Sequence, residues 1–299
     1  MRLQFAKTVY DTLKKDDQAA ILIGDISHYL LRETENDFPN RFHNLGICEQ
    51  SMVGLAAGMS IEGMRPIIHT IAPFCVERAF EQIKIDLSYQ NLTASIVTVG
   101  SSFDYASLGC THHCYEDISL MRTLPGMQVF VPGTSEEFDR IFKETWHEPG
   151  PKYFKLSTKE HHHTSVRCGP RELVKVRESL SKNVIIVSGH LLDEVIESNA
   201  DSTVLYTNTL SSLDEKSIDL LKSLVNSKVD VLTVEENSVV GGLGDFILHT
   251  VSESCDSFPR SLKKLGIPRL WLNNYGKAED HRENLGLTAS GISKILEKK

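Results

Sequence analysis

No stretch of this sequence approaches the apolar run of about 18 residues that a membrane-crossing helix needs. Excess positive charge is missing too: the formal charge is −8, and there is no basic footprint for a nucleic acid. Six cysteines, at 48, 75, 110, 114, 168 and 255, are scattered and form no short-loop framework, which argues against a disulfide scaffold and for a reducing cytoplasm. The opening run MRLQFAKTVYDTLKKDD has no continuous apolar segment of the secretory kind. Internal repeats and low-complexity tracts are also absent. Neither membrane nor nucleic acid is therefore an expected partner, and a soluble, intracellular protein is expected.

What is present is a globular balance, with 40% hydrophobic and 24% charged residues over 299 positions, long enough for two domains with separate cores. Phe5, Val9 and Leu13 share one face of an N-terminal helix. Apolar runs predict strands at 19–24, 65–71, 94–100, 127–131 and 152–156, with helices between them at about 49–61, 75–90, 116–123 and 135–146. The polar segment 157–172, with Gly169-Pro170, interrupts this alternation, and we read 161–172 as a linker. Beyond it, strands are expected at 183–189, 203–208 and 229–236, and helices near 214–226, 242–252 and 288–298. Nearly all-apolar strands alternating with helices predict an α/β fold of two parallel-sheet, three-layer αβα domains, 1–160 and 173–299.

Several clusters invite a chemical reading and resist it. His161, His162 and His163 are adjacent on a loop and do not converge on one ion, so a solvated linker run is expected. CTHHC at 110–114 is too crowded for a single tetrahedral site, and no metal-ligand set is expected in this chain. The run VVGGLGDF at 239–246 follows a strand but lacks GxGxxG spacing. Glu49, in LGICEQ, falls in the first turn of a helix, where any carboxylate is favoured by the helix dipole.

The run LGICEQSMVGLAAGMSIEGMRP resembles the segment of transketolases and deoxyxylulose-phosphate synthases that carries their cofactor glutamate. The likeness continues in order through RAFEQIKIDLSYQNL, CTHHCYEDISLMRTLPGMQVFVP, GPKYFKLS, VEENSVVGGLG and NLGLTASGI. It implies thiamine diphosphate, whose reactive centre is the C2 carbanion of its thiazolium ring, with the protein supplying orientation and electrostatics. By that resemblance Glu49 is the catalytic carboxyl at the pyrimidine, with a raised pKa to keep it partly protonated, and Phe74 and Ile47 contact the cofactor. His112 is implied to be catalytic, steadying a developing alkoxide, with His113 a second candidate. Where the family often places Arg at a phosphate this chain has KLSTKE, so Lys155 and Lys159 are substrate candidates as substitute point charges; His69 is a further substrate candidate in the same cavity, though it, Asp25 and Tyr105 each read better as structural.

Two departures qualify the likeness. Leu108-Gly109 stands where transketolases have Asp-Gly, which removes a carboxylate from the donor site. The GDG motif and downstream Asn that hold Mg²⁺ and the diphosphate are missing. The resemblance therefore implies one subunit of a split transketolase that passes a two-carbon ketol unit from a ketose, phosphorylated or otherwise activated, to an aldehyde. A GDG-containing N-terminal partner would hold Mg²⁺ and most of thiamine diphosphate, the simplest assembly being α2β2. A β subunit of a 2-oxoacid dehydrogenase or decarboxylating synthase, and a non-catalytic scaffold of the same fold, remain open alternatives. Between Gly189 and Val204 the second domain has less chain than the family's usual helix needs, so a trimmed edge is expected.

Overall fold

The computed structural model describes residues 1–297, so the last position of the expected 288–298 helix and the end of the expected second domain lie outside the described residues. The first sheet comprises β1 (Ala19–Ile23), β2 (Phe42–Asn44), β3 (Arg65–Ile71), β4 (Ser95–Val99), β5 (Gln128–Phe130) and β6 (Lys152–Lys155). Their order is β2-β1-β3-β4-β6-β5, and every pairing is parallel. Both faces of this sheet are covered, which is why its strands carry almost no polar alternation. On one face Phe5, Val9 and Leu13 of the helix Arg2–Lys15 pack against Ile21, Val97 and Phe154. On the other, Met52, Val53 and Ala56 of the helix Glu49–Ile61 pack with Leu22, Ile68 and Ile96. Each of the larger apolar side chains among them contributes roughly 1.5–3 kcal/mol, and Ala56 less.

The second sheet contains β7 (Val174–Arg177), β8 (Asn183–Val187), β9 (Thr203–Tyr206), β10 (Asp230–Ser238) and β11 (Ser261–Ile267), ordered β11-β10-β8-β9-β7. It departs from the expected all-parallel sheet at one edge, where β7 runs antiparallel to β9. The reason is connection length: only 178–182 separate β7 from β8, too few residues for the crossover that a parallel entry requires. The expected trimming is visible as a 3-10 turn at Gly189–Leu191 and a six-residue helix, Leu192–Glu197. The two sheets meet along β5, where Phe130 bridges Thr209, Val131 donates to the Asn208 carbonyl and Leu210 donates to that of Val129.

Two expectations need correction. The helix expected over 75–90 is broken into Ala72–Val76, Phe80–Gln82 and a π-helical stretch, Ile83–Ser88. The break leaves Arg78 outside the helical ladder and able to reach sideways. The histidine run is also not simply solvated: His161 is buried against the Tyr206 ring, while His162 and His163 both approach Asp193.

Strand order fixes where a site can form. The chain runs from β1 to β2 on one side and returns to β3 on the other, so the loops after β1 and β3 diverge. Such a switch point leaves a crevice at the carboxyl ends of the strands, where ligands of α/β sheets bind.

Candidate active site

Four loops reach that crevice. Asn44, at the end of β2, ties two of them together: its side-chain amide donates to Asp25 Oδ1 (3.1 Å), and its oxygen accepts the Asp25 and Gly46 N–H groups. The chain then leaves Ile47 73% exposed and enters the helix Glu49–Ile61. Glu49 is only 1% exposed, an unusual position for a carboxyl in a first turn. Its Oε2 accepts a bond from Arg78 Nη1 at 2.8 Å, and Oε1 accepts one from the Thr70 hydroxyl at 3.3 Å. The helix N-terminus adds a favourable dipole.

Arg78 then links the carboxyl to an aromatic wall. Its guanidinium lies 4.5 Å from the centre of the Phe74 ring. Phe74, half-buried just after β3, meets His112 edge-to-face at 5.1 Å. His112 comes from the loop after β4, and its Nδ1 lies 2.9 Å from the Thr111 hydroxyl, which leaves Nε2 for a ligand. Glu49, Phe74 and His112 are thus brought together through Arg78. Burial pushes the neighbouring Cys75 thiol up to about 12, with the Glu49 charge adding to it, so it is no nucleophile at neutral pH. Partial burial, followed by the Glu116 and Asp117 charges, raises Glu77 to about 7.

The other sequence candidates are drawn elsewhere. His69 is fully buried, with one ring nitrogen 2.7 Å from the Val97 carbonyl, the other 2.8 Å from the Ser27 hydroxyl, and Phe5 stacked on its face. Burial lowers it to about 4, so it is a neutral core histidine rather than a substrate ligand. Lys155 is corrected on similar grounds. It is 2% exposed, and its three N–H groups are taken by Asp117 (2.8 Å), Asn237 (2.6 Å) and the Cys114 carbonyl (3.2 Å), leaving none for a phosphate. Lys159 is engaged by Glu279 at 2.7 Å. His113 is buried between Phe103, Tyr115 and His281 and faces away from solvent.

Spacing along the chain carries no sign of Arg78 or Thr70. Arg78 opens RAFEQIKIDL, one of the runs that carry the resemblance, but its bond to Glu49 joins residues 29 apart in the chain and has no local signature. The glycine run is likewise settled by a long-range contact: Glu235 accepts the N–H groups of Leu243 (2.6 Å) and Gly244 (3.0 Å), filling the helix N-terminus that a bound anion would use. Among the described residues, no group of three or more His, Cys, Asp or Glu is disposed to hold a metal ion.

Comparison with known proteins matches residues 1–162 to the family of the transketolase pyrimidine-binding domain. A 33.6 kDa protein of the fasciation locus of Rhodococcoides fascians is 31% identical over 98% of this chain and 92% of its own. One of the subunits of the apulose-4-phosphate transketolase of Actinobacillus succinogenes is 29% identical over 86% of this chain and 84% of its own. Among solved structures, a split-gene transketolase described as an inactive β4 tetramer superposes with a TM-score of 0.82 at 27% identity, covering 99% of this chain and 96% of that one.

Proposed function

The chain belongs to the transketolase family through its pyrimidine-binding domain, and on that premise we propose that it is the pyrimidine-side subunit of a split enzyme transferring a two-carbon ketol unit between sugars. The observation that carries the proposal is the buried Glu49 carboxyl, set beside Phe74 and His112 at the switch point of a parallel sheet. We include in the proposal the division into 1–160 and 173–299 about a linker at 161–172.

The residues fit one end of thiamine diphosphate and not the other. A buried carboxyl, a flat ring and an exposed aliphatic residue, Glu49, Phe74 and Ile47, suit the pyrimidine. Nothing comparable among the described residues offers itself to the diphosphate, since the Gly244 amide is already committed to Glu235. A partner chain bearing GDG and Asn would supply Mg²⁺ and the diphosphate site, in an α2β2 assembly of the reducing cytoplasm. When bound, thiamine diphosphate supplies the electron sink that carbon–carbon cleavage needs.

The chain's own residues then have simple tasks. Glu49, 1% exposed, would hold a proton at its carboxyl against the pyrimidine ring nitrogen of the bound cofactor. Phe74 would offer that ring a flat face to pack on. Arg78, with 41% of its side chain exposed, is free to yield its place on Glu49 as the cofactor enters. His112 Nε2 donates to substrate oxygen as negative charge develops there.

The test is reconstitution with a partner encoded nearby, using a panel of ketose phosphates that includes apulose 4-phosphate, suggested by the relative named for it. The chain alone, given thiamine diphosphate and Mg²⁺, is expected to be inactive, in keeping with the split-gene relative described as an inactive β4 tetramer. Glu49→Gln in the complex should lower kcat by roughly 100-fold or more. Turnover by the chain alone, unchanged turnover in Glu49→Gln, or activity confined to 2-oxoacids would overturn the proposal.

A further inference from the structure

Glu49 and Phe74 are carried by regular elements, the first by a long helix and the second by the short helix Ala72–Val76 that follows β3. His112 is not. It lies at the end of a run of 3-10 turns, Ala106–Thr111, where the first sheet offers no ladder to hold it. Its position depends on one peptide: the Gly109 carbonyl accepts the N–H groups of both His112 (2.9 Å) and His113 (3.0 Å). Gly109 itself sits at φ 73°, ψ −157°, a conformation essentially reserved for glycine.

The open side of Gly109 is covered from the second sheet's side of the molecule. The ring of Tyr275, in the segment between β11 and the helix Ala278–Leu285, lies against its Cα, so that a Cβ there would come within 2.5 Å of Tyr275 Cε1. The same segment is fastened before and after this point. The Leu272 backbone meets the Tyr115 hydroxyl. His281 stacks on Phe103 at 4.7 Å and 8° and meets His113 edge-on at 5.1 Å. The start, middle and end of the loop that carries His112 are therefore each gripped by residues of 272–281. Tyr275 remains 69% exposed, so its contact adds little to a hydrophobic core.

We propose that Tyr275 is a positioning residue for His112: by seating its ring on Gly109, it makes the second domain set the angle at which the imidazole enters the active site. The consequence for catalysis rests on the ketol-transfer reading above, whereas the consequence for the loop does not. A side chain on irregular backbone needs such support to be held within a few tenths of an ångström of its working place.

Two measurements separate these layers. Hydrogen exchange on the isolated full chain should show the His112 and His113 amides exchanging about tenfold faster in Tyr275→Ala, with the amides of β3 and β4 unchanged. In the reconstituted complex, the same variant should lose about tenfold in kcat at unchanged apparent affinity for thiamine diphosphate. Tyr275→Phe, which keeps the ring, should behave as wild type in both, and so should Trp271→Ala in the same segment. If Tyr275→Ala does not accumulate, Tyr275→Leu is expected to show an intermediate change in both readouts. Unaltered exchange at His112 and His113 in either variant would overturn the proposal, as would an equal effect of Trp271→Ala. An inactive wild-type complex would count against the enzymatic reading alone, with exchange still deciding the role of Tyr275.

Discussion

Glu49 shows how much depends on a single pair. In the isolated chain its buried carboxyl has two partners, Arg78 and Thr70, and the Arg78 bond is the shorter. Replacing Arg78 with Met leaves one oxygen of a buried acid without a donor, which should cost about 1–3 kcal/mol in chemical denaturation. Lys155 and Asp117 make the stricter case, because both ends of the pair are closed to solvent. Lys155→Met takes the counter-charge from the buried Asp117 carboxylate, leaving it the Tyr153 hydroxyl and the Ile118 N–H, and we expect a loss of about 3–5 kcal/mol by urea titration. The same variant, where it folds, should leave KM for a phosphorylated sugar unchanged, because Lys155 has no free N–H to offer. Glu49, Phe74 and His112 are all nameable from sequence through ordered resemblance. Lys155, a candidate substitute for a phosphate-binding Arg, is not free to act as one, and His69 is structural as its sequence context favoured; residue type alone carries no information about burial.

At the scale of the element, local pattern is a good guide where an element is regular. The strands at 65–71 and 152–156 and the helices at 49–61 and 135–146 stand within about a residue of their expected bounds. Pattern fails at 75–90, because the interruption there serves contacts made by Arg78 and the π-helical stretch, neither of which has a periodic signature. It fails again at β7, an edge strand with only four residues and a mixed burial pattern. The helix Leu243–Ser254 shows an element whose start is set from a distance. Glu235 supplies the acceptor that its first N–H groups lack, and Gly242 is pressed against that same carboxylate. Glu235→Ala should therefore lower stability by roughly 1–3 kcal/mol, and the exchange of the Leu243 and Gly244 amides should rise before that of the helix middle.

For the molecule as a whole, buried histidines set the acid limit. Burial lowers His69 and His161 to about 4 from an ordinary value near 6.5. The unfolded chain then takes up protons at these sites near pH 6.5, while the folded chain does so only near pH 4. Stability is accordingly lost as pH falls through that window, by roughly 3 kcal/mol for His69 when fully expressed. Melting temperature should decline from pH 7 to pH 5, and less steeply in His161→Phe, which removes one of the two sites. An equal slope in that variant would exclude His161 as a contributor.

The sequence by itself determined the alternation of strands and helices, the presence of two α/β units and, through residues in family order, membership of the transketolase family. These are consequences of neighbouring residues and of a preserved order, both of which can be read along the chain. Only the tertiary structure decided which charges are spent and which remain available. Lys155 is drawn to Asp117 and Asn237, Arg78 to Glu49, and the N-terminus of a glycine-rich helix is closed by Glu235. Tyr275 reaches Gly109 from the segment after β11 in the same way. Each of these outcomes is a competition among distant groups for one partner in a space closed to water, and the winner is set by where the packed sheets bring them.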